Sequence, residues 1–287
     1  VLTTGVACVG IGYNCLNANT ASESTAVGFE ALKVNTSGGN NSAFGAYALD
    51  ANTTAANNTG IGYAALTANT TGSDNTAVGK SSYGTNTTGI QGTAVGSGAL
   101  ELNTTANYNT AVGCIALFSN TTGTENTAIG RAALTSNTTA SSNTAVGMNA
   151  MVNNTTGANN VAVGSQALDA NTTSANNTAV GFASLTAQTT GVQNNGLGAY
   201  SLQSNTTGAH NVGLGYNALG SNTTGTYNIA IGNYALDSNT TANNNVAVGY
   251  DALGANSTGA ELVAVGGDAL KNNTTGAYNI GVGKIAL

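Results

Sequence analysis

The chain has 287 residues with no Pro, no Trp and 40 Gly, and only 6% of it is charged although 41% is hydrophobic. Its net charge is −6, and its five cations, Lys33, Lys80, Arg131, Lys271 and Lys284, are too dispersed to form a basic stripe, which excludes nucleic acid as a partner. No apolar run approaches the ~20 residues that cross a bilayer, so no membrane span is expected.

From its first residues the chain repeats one phrase. It opens on Val1 with no signal peptide and reads as a mature or excised segment. "TTG" at Thr3 to Gly5 is already in register with the Gly of the first "GIG", Gly12. The corresponding Gly falls next at Gly28, one residue early, and then at every seventeenth residue to Gly283. Such a fixed period is the signature of a solenoid. "TAVG" alternates larger and smaller side chains with period two, so each Gly is expected to end a short strand. A unit of seventeen residues that carries Gly and Asn-Thr-Thr leaves no room for a helix. Composition does not change along the chain, so residues 1–287 are read as a single β-solenoid repeat domain.

The columns of the repeat carry the physics. One residue before the Gly lies an apolar column that includes Val78, Val95 and Val112, and four after it lies another with Leu49, Leu66, Leu100 and Leu117. Tyr83 and Met151 stand in that second column. Two inside-out arrangements are open. In a narrow roll Ala and Gly fill the interior and Val and Leu seek neighbouring chains, whereas in a wider single-chain coil Val and Leu form the core. The column three before the Gly runs Thr25, Thr59, Thr76, Thr93 and Thr110, then turns mostly to Val161, Val212, Ile229 and Val246. That drift fits either a core column or an inter-chain contact. The two positions after the Gly vary freely and are expected to face solvent.

Asn recurs seven after the Gly (Asn52, Asn69, Asn86, Asn103, Asn120) and four before it (Asn58, Asn75, Asn109, Asn126, Asn143), with Gln188 keeping the amide once. Coils stacked ~4.8 Å apart let such amides hydrogen-bond up the stack as ladders, and Asn also suits the corners of a coil. Asn-Thr-Thr is in addition an N-glycosylation acceptor, which makes Asn52, Asn69, Asn86 and Asn103 candidates for a glycosylated flank.

Chemistry is sparse. His210 has no nucleophile and base around it in sequence, the acids form no column, and no metal-ligand spacing occurs. "GIGYNCLNAN" and "GLGAY" resemble phosphate loops but lack a following helix. Cys8, Cys15 and Cys114 are read as small repeat residues, with an inter-chain bridge as the alternative. No enzyme activity and no cofactor are expected.

"NTAVGxxAL", recurring over the whole chain, resembles the "SVAIGxxA" repeat of trimeric autotransporter adhesin heads and the repeats of bacteriophage and giant-virus tail fibres. The resemblance implies a left-handed parallel β-roll, three chains side by side, and a place outside the cell or on a cell or virion surface. The repeat is longer than the adhesin one, by an added Asn-Thr-Thr turn. The expectation is therefore an all-β parallel β-solenoid of about seventeen coils of 17 residues. Its ends look uncapped, so it is expected to stack head-to-tail, with lateral trimers and a surface receptor or matrix as further partners. Exposed tyrosines such as Tyr47, Tyr63, Tyr200, Tyr216, Tyr234 and Tyr250 are candidate receptor contacts. The alternative is ice binding through the columns of Thr53, Thr70, Thr87, Thr104 and Thr121 with the threonines that follow them.

Overall fold

Alternation of outward Thr, inward Ala and outward Val forms a strand of three residues, and the Gly after it turns the chain. A computed structural model describes residues 6–287, and none of these is helical. The expectations placed on Val1 and on Thr3 to Gly5 lie outside the described residues. Two compact units divide the chain, the first ending at Asn143 and the second running from Thr144 to Leu287. Each is an all-β parallel solenoid. The first holds β1 (Val9–Ile11), β2 (Thr25–Val27), β3 (Ser42–Phe44), β4 (Thr59–Ile61), β5 (Thr76–Val78), β6 (Thr93–Val95), β7 (Thr110–Val112) and β8 (Thr127–Ile129). The second holds β9 (Thr144–Val146), β10 (Val161–Val163), β11 (Thr178–Val180), β12 (Asn195–Leu197), β13 (Val212–Leu214), β14 (Ile229–Ile231), β15 (Val246–Val248), β16 (Val263–Val265) and β17 (Ile280–Val282). Within each unit consecutive strands pair in parallel, and identical repeat positions face each other: Thr93 lies beside Thr110, and Val246 beside Val263. β1 and β2 keep that register although their repeat is one residue short. The deletion falls between Asn19 and Ser24, where five steps replace the six from Asn52 to Asn58.

The interior answers the question of which side faces in. Ala two before the Gly is fully buried, as are Ala and Leu three and four after it, for example Ala111, Ala116 and Leu117. Leu49, Leu66 and Leu100 are buried in the same way. Val78, Val95 and Val112 point outward and are half-buried, and so does the Thr-to-Val column three before the Gly. Leu fills the middle of the coil, which leaves room only for Ala or Gly on the inner side of the strand. The drift from Thr to Val therefore takes place on an outer face and not in the core.

Backbone that ordinary residues avoid makes the corners. In the coil of Gly113, Ile115 (φ 51°), Leu117 (φ 50°) and Glu125 (φ 59°) are all left-handed. Left-handed backbone costs a non-Gly residue about 1–2 kcal/mol, whereas burying Leu contributes about 1.5–3 kcal/mol. Leu at that corner is therefore favourable on balance. Hydrogen bonds between coils hold the conformation: Leu117 N–H donates to Ala133 O at 2.9 Å and Ile115 N–H to Ser97 O at 2.9 Å. Gly113 itself has φ 136°, and a Cβ there would lie 2.5 Å from Gly130 O. Neither the torsion nor the close approach of the next coil admits a side chain.

One coil departs from the pattern in two places that compensate each other. Tyr83 replaces Leu, and Gly92 replaces Asn four before the next Gly. A Cβ on Gly92 would lie 2.3 Å from the Tyr83 ring, so the larger residue occupies the space the smaller one leaves. The Tyr83 hydroxyl donates to Ala106 O at 3.2 Å and accepts from Asn103 Nδ2 at 3.3 Å, and burial pushes its phenol well above the usual range. Ser184 with Gly196, and Ser201 with Gly213, repeat the device on a smaller scale: each serine hydroxyl sits where the missing methyl would be and donates to that glycine's carbonyl, at 3.1 and 2.9 Å. We expect Gly92→Asn and Tyr83→Leu each to destabilise the protein, by roughly 2–4 kcal/mol, through overpacking in the first case and a cavity in the second. The double variant regains the common pattern and should come within about 1 kcal/mol of the parent, a coupling read from denaturant midpoints.

Candidate functional site

Among the described residues the buried polar side chains all have hydrogen-bond partners, many of them in the neighbouring coil. In the first unit Asn120 Nδ2 donates to Asn103 Oδ1 at 2.8 Å, and Asn137 Nδ2 to Asn120 Oδ1 at 2.9 Å. Asn52, Asn69, Asn86 and Asn103 continue this ladder, every donation running from the later coil to the earlier one. The second proton of each amide goes to the carbonyl three residues on, as from Asn120 to Gly123 O at 2.9 Å. In the second unit Gln188 Oε1 accepts from Asn205 Nδ2 at 3.1 Å, so the longer side chain keeps that step.

The other Asn column keeps amide-to-amide steps in the second unit, where Asn177, Asn211 and Asn228 Nδ2 donate to Asn160, Asn194 and Asn211 Oδ1 at 3.2 Å, and it adds bonds to the backbone. Asn58 Oδ1 accepts the backbone N–H of Asn75 at 3.0 Å, and its Nδ2 donates to Gly72 O at 2.9 Å. Asn75, Asn109 and Asn126 likewise donate to the next coil's backbone, and Asn143 N–H donates to Asn126 Oδ1. These side chains clip coil to coil through the main chain. Among the described residues no buried side-chain N or O lacks a partner.

This burial corrects the glycosylation expectation. Asn52, Asn69, Asn86 and Asn103 are completely buried, and their amide nitrogens are committed to the ladder. In the folded chain they form no exposed flank that could carry sugar. The Thr that follows each Asn is also engaged: Thr53 Oγ1 donates to Thr70 O at 3.1 Å, and Thr87 Oγ1 to Thr104 O at 3.0 Å. The next Thr is exposed, and it is Thr in every repeat from Thr54 to Thr275.

Potential for recognition lies on the outer faces. The sheet presents its two outward columns, which in the second unit are largely apolar: Val161, Val163, Ile229 and Ile231 are all 36–37% exposed. Corners just after the Gly carry aromatic ridges. Tyr13, Phe29, Tyr47 and Tyr63 form one in the first unit, with centroids 5.3–5.8 Å apart. Phe182, Tyr200, Tyr216, Tyr234 and Tyr250 form one in the second, with centroids 5.4–6.1 Å apart. From Phe29 to Tyr63 and from Phe182 to Tyr250 the rings sit alternately one and two residues after the Gly and meet edge to face, whereas Tyr13 and Phe29 both follow the Gly directly and stack at 15°. Sequence reading found the tyrosines but missed this alternation, because it treated both positions as free decoration.

Charged groups are scattered over these faces. His210 stacks on Tyr227 at 4.7 Å and 3°. Lys271 Nζ bridges Asp251 Oδ2 at 2.6 Å and Asp268 Oδ1 at 3.1 Å. Asp50, Asp169 and Asp237 occupy the same repeat position, five after the Gly, and burial raises all three carboxyls above the ordinary range. Cys8 and Cys15 are half-buried, Cys114 is exposed, and all three are free thiols. Among the described residues no three His, Cys, Asp or Glu side chains converge as a metal site, and no helix is long and apolar enough to cross a membrane. No protein-family model matches the chain, and no curated protein matches it.

The three raised carboxyls imply a sign for the pH dependence. A carboxyl whose folded pKa is raised favours the fold while protonated; that contribution is fully present below the unfolded value and is lost as pH rises through the folded one. The variant Asp50→Asn/Asp169→Asn/Asp237→Asn should therefore melt a few degrees higher than the parent at pH 7. At pH 3 the two should melt together, as thermal scans at both pH values would read.

Proposed function

We propose that this chain is a non-enzymatic structural and adhesive fibre component, located outside the cell or on a cell or virion surface. One observation carries the reading. In the regular coils the inward Asn side chains bond to the same repeat position or to the backbone of the neighbouring coil, so one coil presents what the next one needs. A β-edge of this kind templates further strands, and head-to-tail repetition of one contact generates open filaments. The partner is then a second copy of the chain. A low charge density keeps repulsion between stacked copies small.

The outer sheet face of the second unit supports lateral association as well. Its two columns expose a run of apolar side chains, Val161, Val163, Ile229, Ile231 and Val265 among them, that a neighbouring chain could cover. The resemblance of "NTAVGxxAL" to adhesin-head and tail-fibre repeats favours three chains side by side, and a receptor or matrix would meet the variable corners.

Ice binding through Thr is the second reading. The exposed Thr repeated from Thr54 to Thr275 favours it. Against it, the preceding Thr column donates its hydroxyls to carbonyls, which leaves a regular array one file wide. Thermal hysteresis in a freezing assay would support this reading, and a flat response would remove it.

The fibre reading predicts particles that lengthen with protein concentration in negative-stain micrographs; one short species at every concentration would overturn it. Val246→Lys/Val248→Lys/Val263→Lys should narrow the particles while shifting the melting temperature by only a few degrees, because those side chains face outward.

A further inference from the structure

We propose that the aromatic ridge of the second unit binds an extended, neutral, β-linked pyranose chain. This deepens the adhesive reading and rests on it. The fold does not require aromatic residues at these corners: at the same two positions other coils carry Lys80, Ser97, Arg131 or Asn149. Five consecutive coils nevertheless carry one ring each, and Phe182, Tyr216, Tyr234 and Tyr250 are 45%, 42%, 37% and 56% exposed.

The rings form a fixed platform. Successive interplanar angles are 84°, 85°, 71° and 84°, so each ring meets its neighbour edge to face. Interlocked rings have little rotamer freedom left to lose on binding, which is how rigid aromatic anchors gain affinity. The pattern repeats every two coils, about 10 Å at strand spacing. An extended β-linked pyranose chain turns each sugar over relative to the last, so it too repeats over two units, and the C–H faces of its rings stack on aromatic faces.

The polar groups beside the ridge select the ligand class. Asn217 follows Tyr216 in the chain, and its Nδ2 donates to Asp237 Oδ1 at 2.5 Å. Asp251 follows Tyr250 and is paired with Lys271. Carboxylates accept hydrogen bonds from hydroxyl groups, which sugars supply in number. A proline-rich peptide would also lie along aromatic rings, but it offers mainly carbonyl acceptors, for which a carboxylate has no donor. Lys271 is committed to Asp251 and Asp268 and the chain is net acidic, so a sulfated or uronic-acid polymer finds no counter-charge.

Calorimetric titration of the whole chain with cellohexaose, chitohexaose, an oligogalacturonate and a polyproline peptide tests the proposal. Saturable binding of at least one neutral hexaose is expected, weakened about 3- to 10-fold by Tyr216→Ala and by Tyr250→Ala. Tyr108→Ala, an exposed tyrosine off the ridge, should change nothing. Circular dichroism would verify that each variant is folded. Absence of binding by both neutral hexaoses, binding indifferent to Tyr216→Ala and Tyr250→Ala, or preference for the oligogalacturonate or the polyproline peptide would each overturn it. Filament formation is read separately by microscopy, so loss of sugar binding with filaments intact sinks this proposal and leaves the fibre reading standing.

Discussion

A buried amide must find partners, and that constraint governs the whole structure. An unpaired amide group in the interior costs about 1–3 kcal/mol, and each regular coil buries two Asn side chains. The carbonyl three residues on takes one proton of each ladder amide, and another coil, displaced by one strand spacing and in identical register, takes the other. The 17-residue period is therefore enforced twice, once by the strand ladder and once by the side chains inside it. The shortened first repeat illustrates this. Its missing residue is taken up between Asn19 and Ser24, and Asn35 still donates to Asn19 Oδ1 at 2.6 Å.

The same lattice sustains strained backbone. Left-handed Leu117 and Ile115 are held because their N–H groups bond to carbonyls in coils on opposite sides. No coil would keep such corners alone, so order in one coil depends on its neighbours, as in other repeat proteins. Interior and exterior consequently follow different rules. Inside, a change in one residue calls for an answering change in another, as with Tyr83 and Gly92. Outside, residues just after the Gly vary from Lys80 to Cys114 to Tyr250 without disturbing the coil, which leaves that surface free for recognition.

Much of this was legible in the sequence for a physical reason: stacking converts a column of letters into a column of atoms. The period, the strands before each Gly, the absence of helix among the described residues and the Asn ladder of Asn52 to Asn120 all follow from it. The orientation of Val78, Val95 and Val112 did not, because an alternating triplet names two faces without saying which is inner. Only the volume of Leu at the coil centre decides that Ala faces in. The Asn-Thr-Thr sequence was ambiguous for a similar reason, since an acceptor motif says nothing about burial. The Tyr83–Gly92 exchange and the alternating ring positions from Phe182 to Tyr250 are relations between coils, and reading one column at a time conceals both.

Exchange of the Asn side-chain NH₂ protons with solvent deuterium, followed residue by residue by NMR, tests the central claim most directly. Asn69, Asn86, Asn103 and Asn120 should exchange orders of magnitude more slowly than exposed Asn57 or Asn176, and no faster than the strand amides around them. Rapid exchange at those ladder positions in a folded sample would mean that the amides are open to water, and the account of the coil stack would be wrong.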